Sequence, residues 1–192
     1  MPSKMNRDTI GDISRRAAAR YPRKKAIRYK DTELTFLDLE QLSCRFANLM
    51  LGLGVRKGDR VAINSYNSHH YAISLLGLAK IGAVQVPINF MLNAEEVDYV
   101  VTHSGARVFL VEDSMIPQMK SAPGLFRNIT TWGAIPLGGG ELPAGFFNLD
   151  TEMAKMPADD PDADIAAEDI VQIPYTSGTE SRPKGAMLSH PP

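Results

Sequence analysis

The chain has 192 residues, of which 44% are hydrophobic and 22% charged, the composition of an ordinary globular protein long enough to bury a sizeable core. Its 21 basic and 22 acidic side chains leave a formal net charge of −1, without the basic excess that nucleic-acid-binding or membrane-surface proteins carry. The first residues lack the apolar core of a signal peptide, and no apolar run is long enough to span a bilayer. We therefore expect a cytoplasmic protein with no nucleic-acid partner and no transmembrane segment.

The first predicted elements are a helix and a hairpin. Apolar residues recur at helical spacing between Asp8 and Arg20, which predicts a helix that ends before Tyr21-Pro22. Two short runs, 26–29 and 33–36, then flank the polar segment 30–32. Apolar runs on either side of a short polar turn are typical of a β-hairpin.

A second helix follows the hairpin. Thr35 and Asp38 form a capping-box pattern, which predicts that the helix begins at this point. One face of the helix is apolar, and Gly52 and Gly54 mark its end. The single cysteine, Cys44, lies inside this helix, which favours a small core residue over a reactive thiol.

The next segment alternates strands and helices with short connections. The predicted strands are 60–64, 82–87 and 106–112, and the predicted helices are 71–81 and 93–103, the latter with an Asn93–Glu96 capping box. This order predicts an α/β fold with a mostly parallel sheet flanked by helices on both faces. The pair His69-His70 has no further ligand at metal spacing nearby, so surface positions at a helix start are favoured over a metal site.

The periodicity weakens after residue 112, and we expect 113–168 to be rich in loops with short strands. A phosphate cradle and a turn are both conceivable for Gly138-Gly139-Gly140, but no lysine or helix start follows, which favours the turn. The acidic run 159–164 contains a proline and is interpreted as a solvated linker in preference to a metal site.

One segment near the end of the sequence has residue types suited to binding an anion. A predicted strand, 170–175, leads into a segment rich in hydroxyls that ends at Lys184-Gly185. Gly178 and Gly185 permit backbone conformations that turn successive N–H groups inward around an anion. Lys184 adds a mobile positive charge suited to phosphate oxygens. The hydroxyl groups come from Thr176, Ser177, Thr179 and Ser181.

Two other interpretations of this segment are possible. Composition alone fits a polar surface turn. A Walker phosphate loop requires Gly, four residues and then Gly-Lys-Ser/Thr. Here the fifth residue after Gly178 is Pro183, and Lys184 precedes a glycine instead of following one, so the Walker interpretation fails.

Tyr175 through Gly185 is similar throughout to the phosphate-loop signature Tyr-Thr-Ser-Gly-Thr-Thr/Glu-x-x-Pro-Lys-Gly of the acyl-adenylate-forming (AMP-binding) superfamily. That superfamily includes acyl-CoA synthetases, nonribosomal peptide adenylation domains and luciferases. The upstream segments 27–53, 58–62 and 77–89 resemble, in order and spacing, the first part of its large N-terminal domain. Glu180 stands where many relatives have threonine, a variant that resembles fatty and other acyl-CoA ligases.

The resemblance implies an enzyme that makes an acyl-adenylate from a carboxylic acid and Mg-ATP, releases pyrophosphate, and then transfers the acyl group, commonly to coenzyme A. It implies no catalytic residue within this chain. It implies a role for Thr176 at the magnesium ion, and His190 is a further nucleotide-binding candidate. The residues that it implies as ATP ligands, mainly at the phosphates, are Thr176, Ser177, Gly178, Thr179, Glu180 and Lys184.

The resemblance also implies that 1–192 is an incomplete N-terminal AMP-binding domain. Its parts would be an α/β core (1–112), a loop-rich segment (113–168), and a strand with the phosphate loop (169–190). The family's ribose-binding aspartate, acyl pocket and small C-terminal domain match no segment here, so we expect the chain to be inactive alone. The alternative is a non-catalytic module that binds nucleotide or forms a homo-oligomer through an uncovered sheet surface.

Overall fold

The structure, a computed structural model, describes residues 9–176 and 182–190. The helices are α1 (Asp12–Arg20), α2 (Phe36–Gly52), α3 (His69–Lys80), α4 (Ala94–Ser104), α5 (Ile116–Lys120) and α6 (Leu149–Ala154). The first strands are β1 (Lys25–Tyr29), β2 (Thr32–Thr35), β3 (Arg60–Asn64), β4 (Val84–Ile88), β5 (Val108–Glu112) and β6 (Thr131–Ile135). The later strands are β7 (Phe146–Asn148), β8 (Ile170–Gln172), β9 (Tyr175–Thr176), β10 (Lys184–Gly185) and β11 (Leu188–Ser189).

The main sheet has seven strands in the order β11-β8-β4-β3-β5-β6-β7. Its neighbours pair in parallel from β8 to β7, and only β11 runs antiparallel, against β8. Strands β1 and β2 form a separate antiparallel hairpin. The predicted α/β fold with a mostly parallel sheet is therefore confirmed, and so is the predicted N-terminal hairpin.

Apolar residues fill both faces of the sheet. Along β5, Val108 and Leu110 belong to one apolar cluster, and Phe109 and Val111 belong to the other, because successive side chains of a strand point to opposite faces. The first cluster is covered by α2, α3 and α6, and the second by α4 and α5. Helices therefore cover both faces of the sheet, as the order of elements predicted.

Both predicted capping boxes are present. Thr35 Oγ1 accepts the Asp38 N–H at 3.2 Å, and the Asp38 carboxylate accepts the Thr35 N–H at 2.9 Å. Asn93 and Glu96 make the same reciprocal pair at 3.0 and 2.9 Å. Each pair satisfies two N–H groups that a helix start would otherwise leave without acceptors, so α2 and α4 begin where the sequence predicted.

The segment 113–168 contains the short strands that the sequence predicted, β6 and β7, and also two helices that it did not predict, α5 and α6. Strand β6 continues the main sheet beside β5. Within β6, a Cβ at Gly133 would lie 2.5 Å from the Phe147 ring and 2.6 Å from Leu110. The glycine therefore permits close packing within a strand and does not mark a turn.

The glycine and acidic segments take up defined contacts. The N–H groups of Gly138 and Gly139 donate to the Asp113 carboxylate at 2.8 and 3.1 Å, so the protein's own carboxylate binds the donors of this turn. Residues 159–164 have no regular secondary structure, as predicted for a linker. They are nonetheless packed on the helices: Asn48 donates to Asp159 O at 2.9 Å, and the Asp160 carboxylate lies 3.7 Å from Lys80 Nζ.

The surface interpretation of His69-His70 is wrong for His70, which is 3% exposed. His70 Nε2 lies 2.6 Å from the Asp150 carboxylate of α6, so the ring joins two helices. Cys44 is buried, and burial raises the pKa of its thiol to about 12, which confirms a core residue and not a reactive one. Within 9–176 and 182–190, no helix is both long and apolar enough to cross a membrane.

Candidate functional site

The motif segment forms the base of a small hairpin. Tyr175 of β9 pairs with Gly185 of β10, and Thr176 pairs with Lys184, in antiparallel register. The predicted strand 170–175 is split in two: β8 ends at Gln172, and Pro174, which has no N–H to donate, precedes β9. A loop was expected from Thr176 to Lys184; its two end residues instead belong to strands, and 177–181 lie outside the described residues.

The structure places two of the six predicted nucleotide ligands. Thr176 and Lys184 are direct cross-strand partners, and both are exposed. Thr176 Oγ1 donates to Lys184 O at 3.5 Å, a long hydrogen bond. The other four, Ser177, Gly178, Thr179 and Glu180, lie outside the described residues. A hydroxyl and an ammonium group thus emerge side by side where the hairpin strands enter the connecting segment.

Gly185 is required by packing. A Cβ at this position would lie 2.7 Å from Ile173 Cγ2 and 3.1 Å from the Tyr175 ring. A larger residue could fit only if a β-branched side chain and a ring moved away together. The glycine of the motif therefore lets β10 lie close against β9 and sets the separation of Thr176 and Lys184.

A buried amide network holds the strand that leads into the hairpin. Gln85 of β4 is 0% exposed, and its Oε1 accepts from Gln172 Nε2 at 2.7 Å. Its Nε2 donates to Ser74 Oγ of α3 at 3.0 Å, and its main-chain oxygen accepts the Ile173 N–H at 2.9 Å. Sequence analysis missed this glutamine. The available signal was a polar residue inside an otherwise apolar buried strand.

Helix α4 also contacts the hairpin. His103 Nδ1 lies 2.7 Å from Tyr175 Oη, and Tyr99 Oη donates to Pro183 O at 3.2 Å. Sequence analysis missed these residues as well. The available signal was their spacing of four, which puts Tyr99 and His103 on one side of a helix.

His190 lies at the foot of β11 and is 2% exposed. Its ring Nδ1 accepts the Ile10 N–H at 3.1 Å, and the main-chain N–H of His190 donates to Asp169 O at 3.3 Å. Burial lowers the pKa of the His190 imidazole, which favours the neutral ring that this acceptor role requires. These contacts tie the end of the segment to the residues just before α1 and just before β8, so they indicate a structural role for His190.

An ion pair fixes the entry to β8. Lys57 Nζ lies 2.5 Å from the Asp169 carboxylate, which also accepts the Ala166 N–H at 2.7 Å. Burial alone would raise the pKa of Asp169, but these two partners together bring it below its ordinary value. The Asp169 carboxylate is therefore charged at neutral pH, and its two contacts stabilise the turn that precedes β8.

One group of three possible metal ligands meets elsewhere among the described residues: Glu40, Cys44 and Asp160. Lys80 Nζ lies 2.9 Å from the Glu40 carboxylate and 3.7 Å from that of Asp160. The protein's own ammonium group therefore pairs with both carboxylates and balances one of their two negative charges. These contacts link α2, α3 and the acidic segment.

Comparisons with known proteins agree with the motif. The family model described as "AMP-binding enzyme" matches residues 14–191. The chain is 35% identical over 190 residues to a feruloyl-CoA synthase of Amycolatopsis sp, covering 97% of this chain and 34% of that protein. It is 32% identical over 189 residues to the long-chain-fatty-acid–CoA ligase FadD13 of Mycobacterium tuberculosis, covering 94% and 35%. The chain therefore spans about a third of the length of these curated relatives.

Solved structures share the fold. The inhibitor-bound N-terminal domain of FACL13 from Mycobacterium tuberculosis matches with a TM-score of 0.84 at 30% identity, covering 96% of this chain and 45% of that one. The anthranilate CoA ligase AuaEII in complex with anthranoyl-AMP matches with a TM-score of 0.88 at 29% identity, covering 94% of this chain and 34% of that one. The chain belongs to the AMP-binding enzyme family and resembles the N-terminal part of its acyl-CoA ligases.

Proposed function

We propose that this chain is the N-terminal portion of an AMP-forming acyl-CoA ligase, which activates a carboxylic acid with ATP to an acyl-adenylate and then forms a thioester with coenzyme A. In this proposal 1–192 is a partial AMP-binding domain whose β9–β10 hairpin holds the ATP phosphates. The cytoplasmic location predicted from the sequence stays a prediction.

The observation that carries the proposal is the pairing of Thr176 with Lys184 at the base of the hairpin. Both side chains are exposed, and neither is drawn into the core that fixes the strands beneath them. A hydroxyl beside a lysine, at the two ends of a segment rich in glycine and hydroxyls, provides donors and a positive charge for phosphate oxygens. Within the proposal, Ser177, Gly178, Thr179 and Glu180 complete the contacts with the nucleotide.

The donor set also fits a magnesium ion that accompanies ATP. Magnesium in nucleotide sites is held by one or two protein oxygens, with phosphates and waters as the other ligands. The Thr176 hydroxyl donates its proton toward Lys184 O, which leaves its lone pairs for a cation. When bound, the ion would neutralise charge on the phosphates; Lys184 would do the same from the opposite strand.

A chimera tests the proposal. We would join this chain to the remaining two thirds of the Amycolatopsis feruloyl-CoA synthase, replacing that protein's own matching segment. We expect carboxylate-dependent exchange of labelled pyrophosphate into ATP, lost when Lys184→Ala is introduced. A folded chimera that binds the acid but shows no exchange would contradict the proposal.

The isolated chain is expected to show no acid-dependent pyrophosphate exchange. In this proposal its hydrogen-bond donors bind the terminal phosphates of ATP. Binding these phosphates equally well in ATP and in the transition state accelerates the reaction little. Adenylation also needs groups preorganised around the reacting α-phosphate. The assay would use a panel of fatty and aromatic acids, with Lys184→Ala as the control. Exchange above background that disappears in the variant would show that the chain is active alone.

A second candidate function is a self-associating module, favoured by the exposed edge of the sheet. Met187 is 72% exposed and Leu188 46% exposed, and β11 is an edge strand. Such an edge can pair with another chain. We expect concentration-dependent dimers by light scattering, reduced when Leu188→Lys is introduced. A strict monomer at high concentration would contradict this prediction.

A further inference from the structure

Helix α4 reaches both sides of the β9–β10 hairpin. His103 Nδ1 lies 2.7 Å from Tyr175 Oη on β9. One turn earlier, Tyr99 Oη donates to the main-chain oxygen of Pro183, the residue before β10, at 3.2 Å. A single face of one helix therefore contacts the strand that carries Thr176 and the residue next to Lys184.

Ring contacts connect Tyr99, His103 and Tyr175 to one another. Tyr99 and His103 stack with centroids 5.4 Å apart, and His103 meets the Tyr175 ring edge-on at 5.7 Å. The Arg182 guanidinium lies 5.5 Å from the centroid of the Tyr99 ring, within the range of a cation–π contact. The two hydrogen bonds are thus supported by ring contacts that fix the orientation of the side chains.

Helix α4 is a rigid support. It begins at the Asn93–Glu96 capping box, ends at Gly105 with φ of 71° in the left-handed region, and buries Val97 and Val101 completely. The β9–β10 hairpin is not rigid by itself, because each strand has only two residues. An isolated two-stranded hairpin is marginally stable, and one this short depends on contacts with the rest of the protein.

The contacts between helix and hairpin are two hydrogen bonds and two ring contacts. A groove of about 580 Å³ lies between α4 and residues 182–183, with Tyr99, His103, Arg182 and Pro183 among its lining residues. Beside this groove, the two hydrogen bonds hold both sides of the hairpin to α4. Burial raises the pKa of the Tyr175 phenol, so it stays protonated and has a proton to donate to His103 Nδ1.

We propose that Tyr99 and His103 are positioning residues for the nucleotide site: they hold the β9–β10 hairpin so that Thr176 and Lys184 stay together for phosphate binding. Neither residue touches the phosphates in this account, and both act through the hairpin. The inference rests on the proposed function for its effect on affinity, but the effect on the hairpin itself is independent of that function.

The test uses the full 192-residue chain with two measurements. The first is hydrogen exchange at the Ala186 amide, which donates to Pro174 O at 2.9 Å and reports closure of the hairpin. The second is the affinity for magnesium pyrophosphate. Tyr99→Phe and His103→Ala each remove one hydrogen bond, and we expect exchange to be about five-fold faster and binding about five-fold weaker in each variant. Thr102→Ala is the control, because this hydroxyl of α4 donates to Asn128 instead.

Two further variants separate positioning from general loss of stability. His103→Asn keeps an acceptor near the position of Nδ1, so we expect it to recover most of the exchange protection and affinity lost in His103→Ala. Tyr175→Phe removes the same hydrogen bond from the other side. In the double variant Tyr175→Phe/His103→Ala, the loss of exchange protection and affinity should therefore be no greater than in the more strongly affected single variant. If the two substitutions damaged the structure independently, their losses would add.

The outcomes distinguish the two proposals. If the wild-type chain binds no pyrophosphate but the exchange effects are as expected, the proposed function fails and the role of Tyr99 and His103 in holding the hairpin stands. If pyrophosphate binds but the variants leave exchange and affinity within two-fold of wild type, the positioning role is overturned. Additive effects in the His103–Tyr175 cycle, or an Ala186 amide without protection in the wild type, would overturn it too.

Discussion

Lys184→Ala is expected to weaken binding of magnesium pyrophosphate to this chain by about ten- to a hundred-fold. A hydrogen bond from an ammonium group to a charged phosphate contributes roughly 1.5–3 kcal/mol, and each 1.4 kcal/mol is a factor of ten in affinity. Lys184 is exposed and lies in the strand beside Thr176, so its removal leaves the core unchanged. Isothermal titration calorimetry on the purified chain measures the effect.

Two controls make this result specific. Lys155→Ala removes the same charge from an exposed pair with Glu152 on α6, and we expect affinity within two-fold of wild type. Lys184→Arg keeps the charge but replaces a compact ammonium with a larger, planar guanidinium group. We therefore expect an intermediate loss of affinity. Equal weakening by Lys155→Ala and Lys184→Ala would mean that net charge, and not the hairpin, determines binding.

Lys80→Met is expected to have the largest effect on stability, lowering the free energy of unfolding by about 3 kcal/mol. The Lys80 side chain is only 2% exposed and lies 2.9 Å from the Glu40 carboxylate, which is 14% exposed. Removing the ammonium group leaves a largely buried carboxylate next to Cys44 without the cation that pairs with it in the native chain. For a chain of this length the melting temperature should fall by roughly 6–12 °C, measurable by circular dichroism.

A paired substitution tests the cause. Adding Glu40→Gln removes the unbalanced charge and keeps an oxygen that can accept from Ser14 Oγ, which donates to Glu40 at 2.6 Å in the native chain. The double variant should therefore recover most of the lost stability. Lys155→Ala, at an exposed pair, should cost less than about 1 kcal/mol. A loss under 1 kcal/mol in Lys80→Met would contradict the assignment of a buried ion pair.

The elements that local chemistry specifies were predictable from the sequence. Thr35–Asp38 and Asn93–Glu96 each use side chains three residues apart to satisfy the start of a helix, so a short segment contains the whole signal. The alternation of strands and helices up to residue 112 led to the parallel sheet, because parallel neighbours need a crossover between them.

The elements that depend on distant neighbours were not predictable. Glycine is typical of turns, yet Gly133 lies in β6 because Phe147 and Leu110 occupy the space of a side chain. Proline is likewise common in loops, but Pro117 lies in the first turn of α5, where the missing N–H has no cost. In each case the residue type allows both environments, and tertiary packing decides between them.

The same limit applied at the site. The motif identified Thr176 and Lys184 because their residue types and spacing are themselves the signature. It could not identify Gln85, which contacts the strand before the hairpin through Gln172, or His103, which contacts the hairpin through Tyr175. These partners are 87 and 72 residues away in sequence, and only the fold brings them together.

The most direct test of the account is to locate where ATP phosphates bind on the chain. A titration of the ¹⁵N-labelled protein with magnesium ATP and, separately, magnesium pyrophosphate would follow every backbone amide by NMR. We predict that both ligands shift the amides of Thr176 and Lys184 and of the residues between them, and that Lys184→Ala abolishes these shifts. Shifts centred on another part of the surface, or none at millimolar ligand, would contradict the assignment of the β9–β10 hairpin as the phosphate site.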